Sequence, residues 1–385
     1  MKIKSIEAFE IDAEPRPVTK PRSPSRGNQL SMGRPIDRYP GLANYGFPRQ
    51  WKRVAVVVTA EDGTWGFGMT IHGGPVMSII NDHFAPALVG QNCMATEALW
   101  DMMARMAMSY GTMGLTTYAI SAMDVALWDL KGKLLGRPVY ELLGGPQKER
   151  IFCYATGFDI EWYLELGFKA VKIFTPHGPH EGLDGLKKNV ELVARTREAV
   201  GDDVELALDC WISMDEEYTV RLAEMVKPYR LKWLEDYVHP DHFDAYASIR
   251  KRLPGMTLAS GEHWYMPHTF ATAAARRLVD IFQPDELWCG GITGLVKIAH
   301  IAEAAGISVI VHAGMNYPFG QHLTFALPAL VWGERSEGVS PPGVPLAEMS
   351  RLPGTPAIRD GYVVPSDAPG FGLEITKQWL QERAC

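Results

Sequence analysis

Five apolar runs between Val204 and His312 each stop at a potential metal ligand or proton carrier, and that repetition restricts the fold more than any other feature. They read Val204-Glu-Leu-Ala-Leu-Asp209, Leu231-Lys-Trp-Leu-Glu235, Thr257-Leu-Ala-Ser-Gly-Glu262, Asp280-Ile-Phe-Gln-Pro-Asp285 and Ser308-Val-Ile-Val-His312. The terminal residues follow one another at intervals of 26, 27, 23 and 27. Each interval has room for one strand, one loop and one helix, so the pattern predicts repeated βα units on a parallel sheet. Closed into a barrel, such units bring all five strand ends to one mouth.

The length of 385 residues accommodates a barrel of about 250 residues and a smaller second domain. The net charge of −7 and the lack of any lysine- or arginine-rich run argue against a nucleic-acid partner. No apolar run approaches the ~18 residues of a membrane helix, and the first residues, Met1-Lys-Ile-Lys-Ser, do not read as a signal peptide. Cys93, Cys153, Cys210, Cys289 and Cys385 are scattered and odd in number. Reduced thiols in a cytoplasm fit that usage.

Ahead of the barrel, Ile3 to Ile11 alternates like a strand. A stretch rich in Pro, Arg and Gly follows from Pro15 to Gln50, an active-site lid or a flexible surface loop. Arg53–Thr59 and Thr64–Gly68 flank Glu61-Asp-Gly63 as a hairpin. From Met77 to Leu135 the pattern is helical, with Ile120, Met123, Leu127 and Leu130 near the 3.6 period. Asp124 and Asp129 read there as helix-surface or interdomain pairing groups. The barrel then opens with Ile151–Gly157 and Ala170–Phe174, an exposed loop from Thr175 to Gly182, and a helix over Leu186–Val200. Val331-Trp-Gly-Glu334 is a candidate final strand, and the Pro- and Gly-rich region after Ser336 is expected to run over the surface. These boundaries divide the chain into residues 1–135, 136–355 and 356–385.

Asp209, Glu235 and Glu262 are hard oxygen donors, and three of them leave positions on an octahedral Mg²⁺ for water or substrate. No Cys/His cluster accompanies them, which disfavours zinc. An isolated His at a strand end is either a core residue or a functional one. For His312, Asp285 sits one βα unit earlier, where its carboxylate can orient the ring and fix its tautomer. A cation beside a His–Asp pair suits removal of a proton α to a carboxylate, because the charge developed there needs stabilisation.

The ligand trio, Gln283-Pro-Asp285 and the strand-end His312 resemble the mandelate racemase subgroup of the enolase superfamily. The resemblance covers nearly the whole chain, including Pro369-Gly-Phe-Gly-Leu-Glu-Ile375. It implies a modified (β/α)7β TIM-type barrel, an N-terminal α+β capping domain with a specificity lid, and a C-terminal segment returning to the cap. Gly178-Pro-His-Glu-Gly182, Leu208-Asp-Cys-Trp211, Ser260-Gly-Glu-His263 and Trp288-Cys-Gly-Gly-Ile-Thr293 are similar, within the subgroup, to the L-rhamnonate dehydratase family. That likeness implies Asp209, Glu235 and Glu262 as Mg²⁺ ligands, His312 as base, Asp285 as its partner and Glu334 pointing at substrate. His263 matches a His beside the last ligand.

Many relatives carry Lys-x-Lys at the second barrel strand, whose second Lys is a base on the opposite face. The corresponding triplet here is Lys172-Ile-Phe174, so a second base is missing. The implied chemistry is dehydration of an acid sugar rather than racemisation, with Lys172 and Glu334 adding electrostatic stabilisation. Strand seven ends in Val311-His-Ala-Gly314 instead of Pro-His-Gly, and the lid departs from the family pattern. Arg49 is the candidate lid cation for the distal substrate, or else a solvated surface residue. L-Rhamnonate, L-lyxonate and L-mannonate all stay open as substrates. An epimerase or cycloisomerase, and a non-catalytic binding protein, are the alternatives. A homo-oligomer, including an octamer, is implied.

Overall fold

A computed structural model describes residues 1–22, 30–42, 51–336 and 339–385. Its N-terminal domain is built on a three-stranded antiparallel sheet, β1 (Ile3–Ile11), β2 (Arg53–Ala60) and β3 (Trp65–Thr70). The expected hairpin is present: the N–H of Ala60 donates to the Thr64 carbonyl at 2.8 Å, and that of Gly63 to the Ala60 carbonyl at 3.0 Å. The sheet packs against a helix over Leu115–Leu135, most of which is buried. Close approach depends on Gly66 and Gly68, where a Cβ would lie 2.1 Å from the carbonyls of Ala126 and Ala122.

Eight parallel strands follow: β4 (Ile151–Thr156), β5 (Ala170–Phe174), β6 (Glu205–Asp209), β7 (Leu234–Glu235), β8 (Leu258–Ser260), β9 (Ile281–Phe282), β10 (Ser308–Val311) and β11 (Leu330–Arg335). They pair in sequence order, and β11 closes on β4 with Glu334 opposite Tyr154. A helix connects each consecutive pair, and among the described residues β11 is followed by no barrel helix. The barrel is therefore the (β/α)7β form. A short strand β12 (Tyr362–Val363) pairs antiparallel with β4.

Alternation along each strand decides which side chains reach the barrel interior. Tyr154, Ala170, Ala207, Trp233, Ala259, Ile281 and Ile310 form the interior cluster. Their neighbours Cys153, Val171, Leu206, Leu234, Leu258, Phe282 and Val309 belong to the outer core beneath the helices. Two residues beyond the interior set on their strands lie Thr156, Lys172, Asp209 and Glu235. Period 2 thus delivers these polar groups to the layer above an apolar floor.

Several expectations need correction. The helical region from Met77 to Leu135 is broken into separate helices, including Thr96–Ala107 and Leu115–Leu135, with a π-helical segment over Ile79–Phe84. The helix expected over Leu186–Val200 begins at Gly182, and the last barrel strand extends to Arg335. The loop after β5 is not exposed as a whole, since Thr175 and Gly178 are buried. Nor is the chain after Ser336 confined to the surface. Val344, Leu352 and Phe371 are fully buried, and the C-terminal end returns to β1, where Asp12 N–H donates to the Arg383 carbonyl at 2.8 Å.

Asp124 and Asp129 are completely buried rather than on a helix surface. Asp129 accepts from the backbone N–H groups of Phe67 and Phe371 at 2.9 and 3.1 Å. Asp124 accepts from Thr293 at the start of a barrel helix. Interdomain pairing is what both of them do.

Candidate active site

The strand ends meet in a cavity of about 700 Å³ between the barrel mouth and the N-terminal domain. At its floor, Asp209, Glu235 and Glu262 offer oxygen atoms that all lie within 4.8 Å of one another. Asp209 and Glu235 are register partners on β6 and β7, whereas Glu262 sits two residues beyond β8. Asp209 also accepts from Trp211 N–H at 2.8 Å, and Glu235 accepts from Trp233 Nε1 at 2.6 Å and Gln283 Nε2 at 2.7 Å. The turns after these strands hold Trp211, Ile212 and Asp236 at positive φ. Non-glycine residues seldom adopt that conformation, and where they do it commonly marks a site that needs a particular side-chain direction.

Lys172 lies among the carboxylates. Its ammonium contacts Glu235, Glu334 at 2.9 Å and Asp209 at 3.4 Å. Burial works against this charge, but the surrounding carboxylates raise the lysine's pKa well above its ordinary value. Burial lifts the Glu262 carboxyl to about 7, although His312 and His263 beside it oppose the rise. Three buried oxygen donors with excess negative charge fit a hard divalent cation such as Mg²⁺.

His312 stands across from this trio. Its Nδ1 is 2.8 Å from Asp285 Oδ2, and its Nε2 is 3.4 Å from Glu262. Asp285 is fixed in turn by the Leu287 N–H at 2.7 Å. Burial would depress the imidazole's pKa, but Glu262 and the hydrogen bond to Asp285 hold it well above the ordinary range. Trp288 packs on the ring, with centroids 4.9 Å apart.

Glu334 accepts from Ala313 N–H at 2.8 Å and from the Thr156 hydroxyl. Burial would raise its carboxyl, yet Lys172 and His312 lower it to about 2. His263 contacts Asp236 at 3.2 Å and Glu262 at 3.4 Å. Phe174, at the end of β5, lines the cavity where a second base would stand. Arg49 lies outside the described residues.

Sequence reading assigned no part to Asp236, Thr156 or Gln283, which brace His263, Glu334 and Glu235. Asp236 directly follows a strand-end ligand and Gln283 stands in a quoted motif, so position alone was the available signal. His72 and Tyr118, which line the cavity from the N-terminal domain, carried no such signal.

Residues 159–379 match the family described as Enolase C-terminal domain-like, and residues 42–144 match the N-terminal domain of mandelate racemase / muconate lactonizing enzyme. The chain belongs to the mandelate racemase / muconate lactonizing enzyme family of the enolase superfamily. It is 38% identical over 330 residues to an L-rhamnonate dehydratase of Saccharopolyspora erythraea, covering 84% of this chain and 83% of that protein. A putative L-rhamnonate dehydratase of Caldivirga maquilingensis is 37% identical over 338 residues, covering 85% of this chain and 82% of that one. The crystal structure of rhamnonate dehydratase from Gibberella zeae complexed with Mg is similar with a TM-score of 0.90 and 32% identity, over 100% of this chain and 96% of that one. Membership of this family accounts for both the barrel and its N-terminal partner.

Proposed function

We propose that this protein is a Mg²⁺-dependent acid-sugar dehydratase, acting on L-rhamnonate or an aldonate such as L-lyxonate or L-mannonate. The observation carrying this reading is the His312–Asp285 pair beside the carboxylate trio, with Phe174 in place of a second base. The names of the relatives point the same way.

Asp209, Glu235 and Glu262 are the residues that would hold Mg²⁺. When bound, the ion supplies Lewis-acid stabilisation of negative charge on the substrate carboxylate. Asp285 accepts from Nδ1 of His312, leaving Nε2 to take the C2 proton. The C2–H electron pair becomes the C2–C3 double bond as the C3–O bond breaks. Protonated His312 returns its proton to the leaving hydroxyl, which departs as water. The enol then tautomerises to a 2-keto-3-deoxy sugar acid.

Lys172 offsets the charge of the floor and His263 faces the substrate side of Glu262. Glu334, which lines the cavity, is kept as the group pointing at the substrate. It also accepts from the Ala313 N–H and pairs with Lys172. Arg49 remains the proposed lid cation. The same reading takes the domains as 1–135, 136–355 and 356–385, and the protein as a cytoplasmic homo-oligomer, with an octamer as one form. Among the described residues no helix is long and apolar enough to cross a membrane, and the five cysteines are unbonded.

The test is a panel of mono- and diacid sugars with Mg²⁺, read by semicarbazide trapping of a 2-keto product. Turnover of L-rhamnonate or L-lyxonate that EDTA abolishes is expected. No product, and no exchange of the α-proton in D₂O, would overturn the reading in favour of a non-catalytic protein.

A further inference from the structure

The barrel segment between β9 and the helix Gly291–Ala305 carries both Asp285 and Trp288, which contact the His312 ring on its Nδ1 side and its face. Its own turn is tight: the Asp285 carbonyl accepts from Trp288 N–H at 3.0 Å and Cys289 N–H at 2.8 Å. The barrel anchors it through Met266 N–H to the Cys289 carbonyl at 3.3 Å and His312 N–H to the Pro284 carbonyl at 3.0 Å, and the N-terminal domain adds a denser set of side-chain anchors. The Thr70 hydroxyl, at the end of β3, donates to the Leu287 carbonyl at 2.8 Å. Trp100 Nε1 donates to the Gly290 carbonyl at 2.7 Å. Ser121 accepts from the N–H groups of Gly290 and Gly291 at 2.9 and 3.1 Å. Asp124 accepts from Thr293 N–H at 2.8 Å and the Thr293 hydroxyl at 2.7 Å, and Trp128 Nε1 donates to that hydroxyl at 2.9 Å.

A helix leaves its first N–H groups unsatisfied, and an Asn, Asp, Ser or Thr at its N-cap usually serves them. Here the N-cap is Gly290, which has no side chain to offer. Ser121 and Asp124, three residues apart on one face of the Leu115–Leu135 helix, take over that task, and Trp128, four residues further on, holds the Thr293 hydroxyl. Gly291 has φ +75°, and a Cβ there would lie 2.6 Å from the Asp124 carboxylate. The glycine pair is thus shaped to admit a cap from another domain. Thr70, Ser121, Asp124 and Thr293 are all buried, at 1% exposure or less, so water cannot replace these partners.

We propose that the N-terminal domain positions the His312–Asp285 pair by clamping residues 285–293, with Asp124, Ser121 and Thr70 as positioning residues. The domain would then take part in the chemistry as well as in enclosing the substrate. Thr70, Ser121 and Asp124 themselves touch none of the reacting atoms. The clamp instead fixes the carboxylate that orients the base and the indole that packs on it.

The inference rests on the dehydratase reading for its kinetic arm, and the test has a second arm that does not. Thr70→Val removes one donor with little change in shape, and Asp124→Ala removes the helix cap. Lys297→Ala is the control. It breaks the exposed interdomain pair with Glu97 and the contact of its ammonium with the Trp100 ring, on the same barrel helix, while leaving every hydrogen bond to residues 285–293 in place. In both clamp variants kcat is expected to fall roughly 10- to 100-fold, since small misplacements of reacting groups have effects of that size. KM and Mg²⁺ affinity should stay within about twofold, and Lys297→Ala should keep wild-type kcat. Hydrogen exchange of amides 285–293 should accelerate in Thr70→Val, which keeps the test open if Asp124→Ala fails to fold. Faster loop exchange with unchanged kcat would overturn the proposal, as would unchanged exchange. If no acid sugar is turned over, the functional reading falls, and the exchange comparison alone decides for or against the clamp.

Discussion

Asp285 Oδ2 lies 2.8 Å from His312 Nδ1, and Glu262 lies 3.4 Å from Nε2 on the other side of the same ring. The imidazole therefore has one neighbour that fixes its tautomer and another that belongs to the cation floor. Base and metal site are joined through a single side chain, and the variants below separate them.

His312→Asn removes the proton carrier while keeping the side chain polar. Turnover should fall roughly 10²- to 10⁴-fold, the usual contribution of a general base. Mg²⁺ binding, followed by calorimetry, should be largely retained. Near-normal turnover would show that another group takes the proton.

Glu262→Gln keeps shape but removes one charge from the trio. Weaker Mg²⁺ binding is expected, by about an order of magnitude or more, together with loss of product formation. The same loss should follow EDTA treatment of the wild-type protein and be reversed by added Mg²⁺. Activity that persists through EDTA would exclude the metal site as described.

Lys172→Met tests the internal cation. Removing one partner of a buried ion pair typically destabilises by about 3–5 kcal/mol, because the remaining charges lose their compensation. The melting temperature of the metal-free protein should drop, and saturating Mg²⁺ should recover part of that loss. An unchanged Tm would mean that the carboxylates are already neutral without the lysine.

Asp124 supplies a pH dependence. Burial is the main cause of its rise from 3.8 to about 7, with hydrogen bonds from Thr293 opposing and the carboxylate of Glu97 adding to it. A carboxyl whose pKa is raised by folding stabilises the protein fully below its unfolded value. That contribution is lost as pH rises through the folded value. Stability should therefore decline between about pH 4 and pH 7 and level off above. Asp124→Asn, which resembles the neutral form, should flatten that decline in a series of thermal melts. An identical slope in both proteins would assign it to other groups.

Much of the site was legible in the chain because it depends on strand periodicity. Alternation on β5, β6 and β7 places Lys172, Asp209 and Glu235 on one side, and the repeat length brings their strand ends to one mouth. Phe174, in place of a second lysine, was equally visible. Asp124 was not: its partner Thr293 lies 169 positions away, and a buried aspartate on a helix has no local pattern that distinguishes it from a solvated one. Glu334 was found by position, but its pairing with Lys172 and the Ala313 N–H exists only once β11 closes on β4.

The sequence by itself determined the repeating units, the residue types at their ends and the direction in which those side chains point. Those follow from backbone periods of 2 and 3.6, which act over a few residues. The tertiary structure alone decided that one lysine lodges among three carboxylates, and that the N-terminal domain caps a barrel helix. Charge compensation and backbone satisfaction in a buried interface are set by which distant groups meet, and chain closure chooses those partners.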